Sequence, residues 1–226
     1  LLDADIYGPS QPMMMGLAGR KPETVDGKTM EPLAAHGVQV ASIGFLVDEK
    51  QAMIWRGPMA TQALDQLLRG TNWQDLDYLI IDMPPGTGDI QLSLAQRVPL
   101  TGAVIVTTPQ DIALLDVRKG ITMFDKVNVP ILGVVENMAV HVCSNCGHAE
   151  HIFVQGGGER IAQETGVKLL ASLPLSLSIR EQADGGTPTV AATPDANEAA
   201  LEQAAARHLA VAVARKAKDY ASKFPT

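Results

Sequence analysis

Several side chains in this sequence have the type and spacing to do chemistry. Asp82 ends the apolar run Leu79-Ile80-Ile81 and is followed by Met83-Pro84-Pro85-Gly86. A buried parallel strand broken by prolines delivers its last acid to the sheet edge where open α/β sheets bind ligands. A carboxylate there can hold Mg2+ through water, and Gly86 can bring a backbone N–H to a phosphate with no Cβ in the way. The plainer alternative is a core strand followed by Asp89 as a helix cap before Ile90; the row of Asp, Pro-Pro-Gly and Thr-Gly-Asp weighs toward phosphate chemistry. Asp3 and Asp5 stand in alternate positions of LLDADIYGPS, so extended backbone would aim both at one side. Beside a phosphate such a pair can serve Mg2+ and an attacking water; otherwise the acids cap a turn.

Two further groups lie downstream. Asn137 closes the strand Ile131-Leu-Gly-Val-Val, where its amide could read a purine edge or simply stabilise a turn. In HVCSNCGHAEHIF, Cys143 and Cys146 are spaced C-x-x-C among His141, His148 and His151. Three readings stay open. One chain could build a zinc site, although C-x2-C-x-H-x2-H leaves almost no loop between ligand pairs. The cysteines could be a redox dithiol, although such a pair wants its first thiol at a helix N-terminus. Or each of two subunits gives two thiolates, and a symmetric dimer presents the four that hold an iron-sulfur cluster or a structural zinc.

The elements that must position these groups follow from patterning. The chain has 226 residues, of which 46% are hydrophobic and 4% aromatic, enough to bury one aliphatic core as a single domain over 1–226. Apolar strands at 79–81, 103–107, 131–135 and 167–173 alternate with helical periods at 59–69, 111–127, 159–165 and 178–184, which predicts an α/β fold with a mostly parallel sheet. In the helix opened by Asp111, Leu114, Leu115, Ile121, Phe124 and Val127 form the expected buried stripe. Met13 to Met15 read as a buried turn, and Lys28 to Glu31 as a hairpin partner of Gly37 to Ser42. Ala52-Met-Ile-Trp is a short strand with Arg56 at its tip, and Gly156-Gly157-Gly158 reads as a hinge. The Ala-rich stretch 197–224 is expected to form a helix packed on the domain. A net charge of −7 argues against nucleic acid as main partner, and no apolar run reaches the roughly 20 residues of a membrane span. Two cysteines and no signal-like segment favour a reducing compartment, the cytoplasm. The opening Leu1-Leu2-Asp3 reads as the end of a strand whose earlier part lies upstream.

With DADIYGPS, the IWRGPM turn, LDYLIIDMPPGTGDIQL, VTTPQDIALLDVRKG, ILGVVENM and CSNCGH in this order, the sequence resembles the Mrp (ApbC-like) iron-sulfur cluster carrier ATPases over nearly its whole length. The resemblance implies a doubly wound, mostly parallel sheet of the P-loop NTPase kind with helices on both faces. It also implies ATP and Mg2+ at the strand tips, and a homodimer sharing one 4Fe-4S cluster between subunits for apo-protein recipients. On this sequence it makes Asp5 the acid that orients the attacking water, with Asp3 beside it near the metal waters. Asp82 becomes the acid on the Mg2+ shell, Gly86 the contact to the terminal phosphate, Asn137 the adenine reader, and Cys143 and Cys146 the cluster ligands. The sequence departs from the family in two ways. It contains no G-x-x-x-x-G-K-[ST] loop, so these 226 residues are expected to bind nucleotide poorly, while the resemblance implies that the full-length protein is an ATPase. And Val154 stands where the family usually has glycine. The rival function is a nucleotide-switched positioning ATPase of the MinD type, with zinc or no metal on its cysteines.

Overall fold

The computed structural model describes residues 1–25, 27, 29–47, 57–86 and 88–216. The strand expected at 52–55 and its tip Arg56 lie outside the described residues. Along the chain run β1 (Leu2–Asp3), α1 (Gln11–Met14), β2 (Leu33–Ala35), β3 (Val38–Ser42), a 3-10 turn (Ile43–Phe45), α2 (Gly57–Gly70), β4 (Ile81–Asp82) and α3 (Asp89–Arg97). They are followed by β5 (Ala103–Thr107), α4 (Asp111–Lys126), β6 (Ile131–Glu136), β7 (His141–Val142), β8 (Ala149–Glu150), α5 (Gly157–Thr165), β9 (Leu169–Ser172), α6 (Leu177–Asp184), α7 (Thr189–Ala192) and α8 (Asn197–Lys216). The chain forms two compact units, Leu1–Ser93 with Glu181–Ala192, and Leu94–Arg180 with Thr193–Thr226.

In the first unit the sheet order is β2-β3-β1-β4, with β3, β1 and β4 parallel and β2 antiparallel at the edge. The hairpin partner of β3 is therefore 33–35 rather than 28–31. Its two-residue turn explains the register: His36 and Gly37 both have positive φ, 51° and 77°, as a tight hairpin turn that follows the sheet twist requires. Met15, Leu17, Val40 and Phe45 pack together as a core, and α2 buries Ala60, Leu64 and Leu67, one stripe at helical spacing. Of the three consecutive methionines only Met15 is buried. β4 is shorter than the apolar run suggests, and Ile80 is 52% exposed: among the described residues β4 pairs with β1 alone, so its residues are not enclosed as in a central strand. The returning segment Glu181–Ala192 is held by glycine against glycine. A Cβ on Gly186 would come 2.6 Å from Gly16 Cα, and both residues have positive φ.

In the second unit β5, β6 and β9 form a parallel sheet with β6 in the middle. Ile105, Leu114, Ile121, Val134, Ile161 and Ala162 make its core, with Phe124 packed against it, whereas Leu115 lies 57% exposed on the outer face of α4. α8 packs on β9 and β6, and its His208 Nδ1 meets the Leu170 carbonyl at 2.9 Å. The glycine run is no hinge. Gly157 and Gly158 are the buried first residues of α5, and a Cβ on them would come 2.4 Å from the Pro109 carbonyl oxygen and 2.6 Å from Glu136 Cβ. Glycine is needed there so that the helix can press onto the strand tips.

Candidate functional site

The acids of the first unit gather because three parallel strands end in register. Ser42, Asp3 and Asp82 are paired across β3, β1 and β4, which places them in a row at the carboxyl edge. In parallel strands in register such a row shares one face, so Asp3 and Asp82 are neighbours by construction. Asp3 is fully buried. It accepts from Ser42 Oγ at 2.9 Å and from the Gln11 N–H at 3.3 Å on one oxygen, and from the Asp5 N–H at 3.2 Å on the other. Burial, with a smaller push from the like charge of Asp82, outweighs the lowering by those hydrogen bonds and leaves its carboxyl up at about 6. Asp82 Oδ2 accepts from Gln11 Nε2 at 2.7 Å.

Asp5 does not share the extended face expected of it, because β1 ends at Asp3. The chain turns instead: Asp5 Oδ1 accepts from the Tyr7 and Gly8 N–H groups at 3.2 and 3.1 Å, an Asx-type turn. Asp3 and Asp5 are thus linked through backbone, and Asp5 Oδ2 has no protein donor among the described residues. Gly86 has φ 93° with nothing within 4 Å of where a Cβ would be, so it takes a conformation that L side chains resist and leaves its surroundings open. The preceding Pro84 and Pro85 carbonyls are held by Nε2 of the buried Gln91 at 3.1 and 2.9 Å. Ser42, Gln11 and Gln91 were not singled out from the sequence. Ser42 carried a usable signal, being the polar residue that ends an apolar strand just as Asp82 does.

In the second unit Asn137 follows the tip of β6. Its N–H donates to the Thr107 carbonyl at 2.7 Å and its Oδ1 accepts from the Met138 N–H at 2.9 Å, so it stabilises the turn, and among the described residues its Nδ2 has no protein acceptor. The neighbouring Glu136 is buried, accepting from the Gly158 N–H at 3.0 Å and from Ser172 Oγ at 3.2 Å. It is a strut between β6, β9 and the start of α5.

Cys143 and Cys146 occupy the loop of the β7–β8 hairpin, closed by Cys143 N–H to the His148 carbonyl at 2.9 Å and Gly147 N–H to the Cys143 carbonyl at 2.8 Å. Cys146 is exposed and Cys143 half-buried. Hydrogen bonds from the Cys146 and Asn145 backbone N–H groups, with a smaller one from the Cys146 side chain, hold the Cys143 thiol below its usual range. Donors folded around a sulfur favour the thiolate, the form that ligates metal. The histidines do not complete a single-chain site. His141 and His151 turn their Nδ1 atoms to the Leu175 and Ala139 carbonyls, and among the described residues no three His, Cys, Asp or Glu side chains converge on a point.

Comparison with known proteins sharpens this picture. A family model described as "ParA: NUBPL iron-transfer P-loop NTPase" matches residues 1–210. A protein of Pseudomonas fragi named iron-sulfur cluster carrier protein is 63% identical over 204 residues, 90% of this chain and 71% of its own length. The protein of that name in Escherichia coli K12 is 58% identical over 89% of this chain, which spans about half, 54%, of the relative. The mouse iron-sulfur cluster transfer protein NUBPL is 50% identical over 96% of this chain and 67% of its own length. Among solved structures, a nucleotide-binding protein of Archaeoglobus fulgidus in complex with ADP superposes with a TM-score of 0.70 at 35% identity, covering 82% of this chain and 72% of that one. The septum site-determining protein MinD of Pyrococcus horikoshii, complexed with Mg-ADP, superposes with a TM-score of 0.66 at 21% identity over 96% and 85% of the two chains, a likeness of fold alone.

Proposed function

The chain belongs to the iron-transfer P-loop NTPases of the ParA/NUBPL family, and from that premise we propose that the protein carries a 4Fe-4S cluster for delivery to apo-protein recipients in the cytoplasm, with ATP binding and hydrolysis governing the transfer. The observation that carries the reading is the exposed hairpin loop on which Cys143 and Cys146 sit, with backbone donors turned toward Cys143. A cluster of this kind takes four thiolates, and one chain supplies two. A homodimer about a twofold axis brings the other pair, so the cluster is cargo held between two copies.

The acid row supports the nucleotide half. Asp82 would act on the water shell of Mg2+, Asp5 through its spare oxygen would orient the attacking water, and Gly86 would offer its N–H to the terminal phosphate. Asn137, through Nδ2, would meet the adenine edge. Asp3 lies beside the metal waters in this scheme, and its bonds to Ser42, Gln11 and the Asp5 backbone give it the further task of holding the row together. The metal, when bound, supplies charge neutralisation on the phosphates; the chain supplies orientation.

Anaerobic reconstitution with iron and sulfide tests the proposal. The expected product is a brown protein of twice the chain mass, with colour and dimer both lost in Cys143→Ser and in Cys146→Ser. A colourless protein holding stoichiometric zinc would overturn it.

A further inference from the structure

We propose that Gln11 is a positioning residue that fixes the Asp82 carboxylate and ties it to the loop carrying Asp5. Gln11 opens α1, eight residues beyond Asp3 and 71 before Asp82, yet it meets both acids: its backbone N–H donates to Asp3 Oδ2 at 3.3 Å and its side-chain Nε2 to Asp82 Oδ2 at 2.7 Å. The bonds continue in one direction, because Asp3 Oδ1 accepts from the Asp5 N–H and Asp5 Oδ1 from Tyr7 and Gly8. A single relay therefore runs from the tip of β4, through one glutamine, to the turn at Tyr7-Gly8.

The chemistry of the link suits an acid that must stay charged. A lysine or arginine at this place would neutralise Asp82, whereas an amide donates while leaving the full negative charge for a cation. It also engages only Oδ2, so the carboxylate is fixed in orientation with Oδ1 still unclaimed among the described residues. Partners that orient a metal-binding carboxylate usually change metal affinity tenfold to a hundredfold when removed. The neighbouring Asp3 adds a reason for such a restraint: two carboxylates side by side repel, and a donor bridging them holds them at a set separation.

The inference rests on the reading of Asp82 as the acid of the Mg2+ shell, and two arms separate the two ideas. The substitution is Gln11→Met, of similar length but with no donor. In metal-free protein, hydrogen exchange at the Tyr7, Gly8 and Gln11 amides is expected to quicken about tenfold at an unchanged thermal midpoint; exchange equal to wild type overturns the proposal. In the second arm Mn2+ alone is titrated, without nucleotide, and free Mn2+ is followed by electron paramagnetic resonance. Gln11→Met is expected to weaken Mn2+ about tenfold and Asp82→Asn to weaken it further. Wild-type affinity in Gln11→Met, where Asp82→Asn does weaken binding, overturns the proposal. Should Asp82→Asn leave Mn2+ unchanged, or wild type take up none, it is the magnesium reading of Asp82 that fails in this chain, and the exchange arm alone then decides whether Gln11 holds the loop.

Discussion

Asp3 has no exposed surface, and its neighbours set how it titrates. Its carboxyl is raised in the folded chain to about 6, from an ordinary value of 3.8. Between those limits the folded state binds more protons than the unfolded one, so stability falls as pH rises from about 4 to about 6. The loss is on the order of 2–3 kcal/mol. Asp3→Asn, which cannot ionise, is expected to remove this fall, so the urea midpoint of the mutant should stay level across the window in which that of the wild type drops. Cys143 is displaced in the opposite sense, mainly by backbone donors that no side-chain change removes. Its alkylation rate in Cys146→Ser should therefore still reach half-maximum below the ordinary thiol range; a midpoint at the ordinary value would show that the backbone donors do not act. Asp82 and the cysteine pair were legible in the sequence because strand-then-acid and C-x-x-C are local patterns. Ser42, which also ends an apolar strand, could have been read the same way; Gln11 could not, since it takes its meaning from a partner 71 residues away.

At the scale of elements, periodicity recovered what local burial dictates and lost what packing decides. The helices at 57–70 and 111–126 and the parallel strands β5 and β6 follow from apolar spacing. Leu115 was misplaced because a stripe widened by one position looks the same in sequence, while only the facing β5–β6 surface decides which leucine is covered. The glycine run misled for a related reason: sequence shows a missing side chain, not what would collide with it. Gly158→Ala puts a methyl group against Glu136 and should cost about 1–3 kcal/mol in chemical denaturation. Val154, four residues earlier, is the reverse case. It is a β-branched residue held at φ 88° and 57% exposed, a conformation that costs on the order of 1–3 kcal/mol and that glycine takes freely. After the extra unfolded-state entropy of glycine, Val154→Gly should still stabilise the protein by about 1 kcal/mol. An unchanged or lower midpoint would mean that contacts of the valine outweigh the strain.

For the whole molecule, the two kinds of chemistry make different demands on the chain. A cluster would need thiolates alone, and the hairpin that carries Cys143 and Cys146 is closed by its own backbone hydrogen bonds. A triphosphate needs more than a metal acid. Its oxygens are ordinarily cradled by consecutive backbone N–H groups of a glycine loop and by a lysine, and no G-x-x-x-x-G-K-[ST] is present in the 226 residues. The row of Ser42, Asp3 and Asp82 is all oxygen and carries negative charge, so without a cation and a donor cradle it repels phosphate. Residues 1–226 alone are therefore expected to take up the cluster while binding Mg-ATP weakly. Calorimetry should give no measurable heat at micromolar protein and nucleotide under the conditions in which reconstitution with iron and sulfide succeeds. Tight, stoichiometric binding of Mg-ATP would show that donors elsewhere in the chain replace the glycine loop.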